Sequence, residues 1–297
     1  MTGAREILYV DGRFLEPGER ATVDLRDRGF LLGDSVFETV RACGGAAFAL
    51  DRHLSRLGEA ADALGIPMPH TDLHAVTAAA LTALAEPDVT LRYTLTRGAG
   101  AWGVGMAGPF TPSLSLIARA STPHAPERYT DGVDVKVVTT RRVPAACLPT
   151  RFKTGNYLGT VLARRELEAE GLVEGIQLTV DGRVSSGTVS NVFAVIDGEL
   201  CTPSLDCDCR AGITRELVLE LAPRLGIVTR EAHLTPADLA RAHEVFFTSA
   251  LMDALPARSV HDVAEYGPAH VARRVREALR AERGDSPDAA RDGATPR

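Results

Sequence analysis

Tight hairpins constrain this chain more than any other feature. "ILYVDGRFLE" reads as strand, Asp-Gly turn, strand, and "SVFETVRACGGAAFAL" repeats the pattern around Gly44-Gly45, so antiparallel neighbours are expected from the outset. Helices follow. "LDRHLSRLGEAADALGI" sets Leu54, Leu57, Ala61 and Leu64 at helical spacing, with Asp51 as candidate cap and Gly65 and Pro67 as stop signals, and residues 71–85 predict a second helix. "VTLRYTLTRG" and "SLSLIA" read as strands before "STPHAPERYTDG" breaks the regularity.

Beyond that break, "VDVKVVTTRR" reads as a strand, residues 158–170 as a helix, "IQLTVDGRVSSG" and "NVFAVIDGELCT" as hairpins, and "GITRELVLELAPRLG" as an amphipathic helix ending at Gly226. Strands and helices mix without a βαβ rhythm. The pattern therefore predicts an α+β chain, with a mixed barrel and helices packed outside it, rather than a doubly wound sheet. The expected division is a small α/β domain over residues 1–121, a linker over 122–131, a larger domain over 132–283 and a polar, disordered tail over 284–297.

A chain of 297 residues with 45% hydrophobic content has room for two cores. A formal charge of −6 and a sequence pI near 5.8 argue against nucleic acid as a partner and favour small molecules. No apolar run is long enough for a membrane span and the first residues lack a signal-peptide layout, so a cytoplasmic location is expected. The five cysteines are scattered and odd in number, which predicts reduced thiols. Cys207 and Cys209 are spaced as metal ligands could be, but no second Cys/His pair accompanies them, so no metal is expected.

The candidate for chemistry is Lys153 in "RFKTGNYLGTVLARRELEAEG", beside a glycine and just ahead of a helical run. A cation near a helix N-terminus is electrostatically disfavoured, so such a lysine can act as an amine nucleophile that forms a Schiff base, although a solvated surface lysine is the plainer alternative. In "AGITREL", Gly212, Ile213 and Thr214 open a helix whose free N–H groups and hydroxyl could cradle a phosphate, unless they form only an ordinary capped helix.

In order, "DRGFLLGDSVFETVR", "DRHLSRL", "KTGNYL", "GTVSNVF", "AGITREL" and "FFTSALMDALPARSV" resemble the class IV pyridoxal-phosphate enzymes of fold type IV, over nearly the whole chain. That family includes branched-chain and D-amino acid aminotransferases and aminodeoxychorismate lyase. The resemblance implies pyridoxal 5'-phosphate as cofactor, joined to Lys153. It implies that Arg56, Gly212, Ile213 and Thr214 hold the phosphate, with Thr248, Ser249 and Ala250 closing the other side. Tyr157 would approach the ring's phenolic oxygen. It further implies a homodimer whose second subunit completes a site between two domains.

One position departs from the family. Five residues before Asn191 of the "SNVF" motif, where an acid usually meets the pyridine nitrogen, stands Ser186. A hydroxyl cannot supply the charge that keeps the nitrogen protonated, which weakens the ring as an electron sink.

For substrate, Arg92 matches a carboxylate-binding arginine of the branched-chain enzymes, though Leu32 stands where one of their tyrosines would be. Phe37 replaces a tyrosine of the D-amino acid enzymes, and their Arg-x-His element is missing. Arg97 in "TRGAG" and the "SALM" run fit the lyases, while Trp102 replaces their second arginine. Because aromatisation can drive the elimination of pyruvate even with a weak sink at Ser186, the expectation favours a lyase releasing pyruvate and p-aminobenzoate. An amino acid aminotransferase, branched-chain rather than D-specific, is the alternative, and a non-catalytic homologue the third.

Overall fold

The computed structural model describes residues 6–100 and 102–285, and the chain divides into two compact units. The first comprises Met1–Thr122 together with Phe152–Tyr157, the second Pro123–Arg151 and Leu158–Arg297.

In the first unit, β1 (Glu6–Val10) and β2 (Arg13–Phe14) form the expected hairpin, followed by α1 (Arg28–Leu32), β3 (Ser35–Cys43), β4 (Ala46–Ala47), α2 (Leu50–Leu64), α3 (Leu73–Leu84), β5 (Asp88–Ala99) and β6 (Thr111–Ala120). The strands make one antiparallel sheet in the order β2-β1-β6-β5-β3-β4. Alternation sorts its faces. Val36, Val40 and Ala42 of β3, with Leu91, Tyr93 and Leu95 of β5, share a core with Leu57, Ala60 and Ala61 of α2 and Ala80, Leu81 and Leu84 of α3. Phe37 and Arg92 have the opposite parity and stand on the other face.

Asp51 does not cap α2. Ala49 holds the cap position in the left-handed region with no side-chain hydrogen bond, and Asp51, already inside the first turn, meets His74 Nε2 at 2.7 Å. Asp72 caps α3 instead, accepting from the backbone N–H groups of His74 and Ala75.

The second unit contains α4 (Glu127–Thr130), β7 (Val133–Val137), α5 (Leu158–Glu168), β8 (Glu174–Leu178), β9 (Val184–Gly187), β10 (Asn191–Ile196), β11 (Glu199–Pro203), α6 (Ile213–Leu221), β12 (Thr229–Ala232), α7 (Pro236–Ala240), β13 (Glu244–Ser249), β14 (Asp253–Val260), β15 (Ala264–Glu265) and α8 (His270–Arg283). Its mixed sheet runs β12-β11-β10-β13-β14-β7-β8-β9, with β15 beside β14 and parallel pairing at β11/β12, β14/β7 and β7/β8. The sheet curls until β9 approaches β10. Every residue of β8, β9 and β10 is buried; β10 (NVFAVI) accordingly reads as a nearly continuous apolar run, whereas β8 and β9 bury the polar Glu174, Gln177, Ser185 and Ser186. Helix α8 is fixed at both ends. The Glu244 carboxylate accepts from the N–H groups of Val271 and Ala272, and Arg283 pairs with Asp253.

Two boundaries differ from the sequence expectation. Residues 123–131 are not a free linker, since they carry α4 and the Tyr129 hydroxyl donates to the Met252 carbonyl. Residues 152–157 return to the first unit. The expected tail lies, beyond Asp285, outside the described residues. Among the described residues no helix is long and apolar enough to cross a membrane.

Candidate active site

Lys153 lies on an extended segment against the start of β3. The Phe37 N–H donates to the Lys153 carbonyl at 2.8 Å, Thr154 bridges to Val36, and the Gly155 N–H donates to the Ser35 carbonyl at 2.9 Å. A Cβ at Gly155 would strike Ser35 Oγ, so this close approach needs glycine. Because α5 begins only at Leu158, Lys153 is outside its first turn and the helix dipole does not reach it as expected. Its Nζ lies 5.2 Å from the Phe37 ring centroid instead.

Around that ring the side chains converge. Arg92 Cζ sits 3.8 Å from the Phe37 centroid, and Tyr157 packs edge-on to it at 4.9 Å. Burial lowers the pKa of the Arg92 guanidinium, opposed by the nearby Tyr157 oxygen, while the residue as a whole is exposed, so Arg92 is a solvent-accessible cation that shares the Phe37 ring with Lys153. Such a pairing can take a substrate carboxylate and a substrate amine at the same place.

Arg56, on the flank of α2, is held by an acid that sequence reasoning missed. Glu38, 1% exposed, accepts from Arg56 Nε and Nη2, each at 2.8 Å, and lies 2.8 Å from His53 Nδ1. Burial pushes the Glu38 carboxyl up, but the His53 and Arg56 hydrogen bonds and the Arg56 and Lys153 charges outweigh it and bring the pKa down to about 2. Burial likewise lowers the His53 pKa, so its neutral ring donates Nδ1–H to Glu38. The signal was available in outline: Glu38 falls on the core-facing parity of β3, where a carboxylate requires partners.

Both depressions stabilise the folded state above the ordinary values of 6.5 and 4.5 and are lost as pH falls through the folded ones. For Glu38 the loss is on the order of 3 kcal/mol once pH reaches the region of 2. Urea unfolding between pH 7 and 3 should therefore show a shallower acid decline in Glu38→Gln than in wild type. Identical slopes would mean that Glu38 does not carry the effect.

The second unit supplies a different set of groups. Gly212 is the N-cap of α6 with no side-chain cap, which leaves the first N–H groups of the helix for another acceptor. Asn191 Nδ2 donates to the Arg210 carbonyl at 2.8 Å, and a Cβ at Gly212 would collide with Asn191 Oδ1. Asn191 therefore shapes the turn that precedes Ile213 and Thr214. Thr248 pairs with Asn191 across β10 and β13, and its Oγ1 is buried without a hydrogen-bond partner among the described residues. Ser249 and Ala250 continue from it. An uncapped helix start, a glycine and an orphaned hydroxyl match the needs of a phosphate group, and the lysine and anchored arginine of the first unit match the needs of an aldehyde and an anion.

Ser186 is buried on β9 opposite Gln177, and its Oγ donates to the Gly187 carbonyl at 2.7 Å. The sequence neighbourhood showed no closer acid than Asp181, but folding brings Glu174 to this end of the sheet. Its buried carboxylate accepts from the Gly175 and Thr188 N–H groups and from the hydroxyls of Thr188 and Ser190.

Two expected substrate residues are placed otherwise. Arg97 shares the core-facing parity of Leu91, Tyr93 and Leu95 and is opposite to Arg92. Its Nε and Nη2 bind Asp34, while Nη2 and Nη1 donate to the Leu64 and Gly65 carbonyls at the end of α2. Arg97 thus pairs with Asp34 and closes the C-terminus of α2. Trp102, 84% exposed, stands on the loop after β5.

Arg56→Ala should weaken cofactor binding by about 2–5 kcal/mol, the cost of truncating one partner of a buried charged hydrogen bond. Thr214→Ala should cost less because the helix N–H groups remain. Cofactor titration checks both, and wild-type affinity in Arg56→Ala would remove its phosphate role.

Comparison with known proteins agrees with these features. Residues 35–260 match the family model described as amino-transferase class IV. The chain is 35% identical over 251 residues, covering 84% of it and 86% of the relative, to a putative branched-chain-amino-acid aminotransferase of Methanocaldococcus jannaschii. It is 30% identical over 266 residues, 88% of each chain, to the aminodeoxychorismate lyase of Bacillus subtilis. Its fold matches the T.th. branched-chain amino acid aminotransferase, solved with pyridoxamine 5'-phosphate, at a TM-score of 0.86 and 26% identity over 95% of both chains. With its lysine, its phosphate-type helix start and this extent of likeness, the chain belongs to the class IV aminotransferases, a family of pyridoxal-phosphate enzymes.

Proposed function

We propose that the protein is an amino acid aminotransferase of the branched-chain type. The observation that carries this reading is Arg92, a solvent-accessible guanidinium stacked 3.8 Å over the Phe37 ring that Lys153 Nζ also approaches. An arginine there takes the carboxylate of a simple amino acid, and the Phe37 and Tyr157 rings offer apolar and aromatic walls to its side chain.

Relatives support the same choice over elimination. The branched-chain relative is the more similar of the two compared, at 35% against 30% identity. The elimination expected from Ser186 keeps that hydroxyl as its specific support, while the engagement of Arg97 by Asp34 and the end of α2 speaks against its service to a lyase substrate.

Pyridoxal phosphate, when bound, supplies an electron sink for negative charge on the substrate carbon beside the amine. The protein does the rest. Arg56 would offer a guanidinium to the phosphate, as the start of α6 would offer its N–H groups, Arg92 would orient the carboxylate, and Lys153 Nζ would move the proton. Glu38 keeps Arg56 in one orientation through two hydrogen bonds.

A second copy of the chain is the expected partner. Val23, Leu25 and Phe30 are exposed, as are Trp102, Val104 and Met106, and Arg28 joins the two groups by donating to the Gly103 and Gly105 carbonyls. An apolar surface of this kind is what a homodimer would cover.

The test compares kcat/KM for L-leucine with a 2-oxo acid acceptor against kcat/KM for aminodeoxychorismate. Preference for leucine supports transamination, and faster release of pyruvate and p-aminobenzoate supports elimination.

A further inference from the structure

The Cys207 motif, set aside at the sequence level for want of further ligands, acquires them in the fold. Cys207 ends a 3-10 turn (Leu205–Cys207) and Asp206 precedes it, while His233 arrives from the residue after β12. The Asp206 carboxylate lies between the other two: Oδ2 is 2.7 Å from His233 Nε2 and Oδ1 is 3.9 Å from Cys207 Sγ. One ligand atom from each of the three lies within 4.8 Å of the others. The sulfur is at the buried end of the trio and the carboxylate and imidazole at the solvent end, so an ion could enter from water.

We propose that Asp206, Cys207 and His233 bind one divalent cation of the zinc class. The donor set decides the class: one sulfur, one imidazole nitrogen and one carboxylate oxygen suit zinc, whereas magnesium and calcium take oxygen ligands. Three protein ligands leave the fourth tetrahedral position to water. On binding, the Cys207 thiol gives its proton to solvent and the thiolate ligates. His233 uses the Nε2 lone pair with its ring proton on Nδ1. Cys209, the other cysteine of the motif, is turned away, with its Sγ towards the Pro203 and Ser204 carbonyls.

One neighbour opposes the ion. Arg183 Nη1 is 4.0 Å from Asp206 Oδ2, while its Nε is held by Asp181 Oδ2 at 2.9 Å. A bound dication repels this guanidinium towards Asp181. The surface His233–Asp206 ion pair is the plain alternative, and the two readings differ in what happens when Arg183 is removed.

Tag-free holoenzyme, stripped with chelator and then dialysed, is titrated with Cd2+ while the ultraviolet thiolate-to-metal absorbance is followed, and with Zn2+ by calorimetry. Cys147→Ser serves as a control because Cys147 is an exposed thiol. The expected result is one Cd2+ per chain, with the absorbance kept in Cys147→Ser and lost in Cys207→Ser. Exposed His233→Ala, which should fold normally, weakens Zn2+ binding at least tenfold, roughly the lower end of what even an outer-shell loss costs. Arg183→Ala tightens it. Absence of saturable Zn2+ binding, Cd2+ absorbance that persists in Cys207→Ser, or unchanged affinity in His233→Ala would each overturn the proposal.

Discussion

Lys153→Ala is expected to lose at least about 10³-fold in turnover, because one amine is both the covalent attachment point of the cofactor and the carrier of the proton. The fold should survive. The contacts that hold this segment to β3 are made by backbone atoms, the Lys153 carbonyl and the Gly155 N–H among them, and alanine keeps both. Thermal unfolding should therefore stay near wild type while borohydride no longer fixes the cofactor to the protein. A variant that retains activity without added amine would remove Lys153 from the centre of the chemistry.

Arg92→Ala is expected to lower kcat/KM for an amino acid by about 2–5 kcal/mol, thirtyfold or more, with cofactor affinity unchanged. Arg92 faces the side of the sheet opposite the Glu38 and Arg56 core, so its loss leaves the proposed phosphate anchors intact. Arg92→Lys should recover only part of the loss, since an ammonium cannot offer the two parallel donors of a guanidinium. Equal losses in cofactor and substrate binding would mean that Arg92 supports the fold of the site instead of gripping the substrate. Arg97→Ala is the contrasting variant. It should lower stability by removing one of the two arginines that hold Asp34, leaving Arg28, and by freeing the carbonyls at the end of α2, a change visible in the unfolding midpoint.

These two arginines show what the sequence could and could not convey. Five positions apart on one strand, they have opposite parity, and a period of two already forbids both from reaching one substrate. The alternation of "VTLRYTLTRG" already marks the face of Val89, Leu91, Tyr93 and Leu95 as the core side; what no pattern could supply was the distant Asp34 and the end of α2 that engage Arg97. Hairpins at Asp11-Gly12 and Gly44-Gly45, and the stop of α2 at Gly65, were legible because turn and cap chemistry is local. Asp51 misled because a capping residue in sequence can equally be a first-turn residue, and only the left-handed Ala49 decides.

Distant pairings were the illegible part. Glu38 gains meaning from His53 and Arg56 only when α2 packs on β3, and Glu174 reaches Thr188 and Ser190 only when β8 pairs with β9. His233 reaches Asp206 only because β12 lies parallel to β11. Helix α8 went unassigned although Ala272, Val275 and Leu279 mark one buried face, since charged residues crowd the rest of it.

Amino transfer is tested most directly by a single turnover. Cofactor-loaded enzyme mixed with excess L-leucine and no acceptor should release one equivalent of the corresponding 2-oxo acid per chain and stop, leaving pyridoxamine phosphate in the protein. Release of no 2-oxo acid, together with continuous formation of pyruvate and p-aminobenzoate from aminodeoxychorismate, would contradict the aminotransferase account.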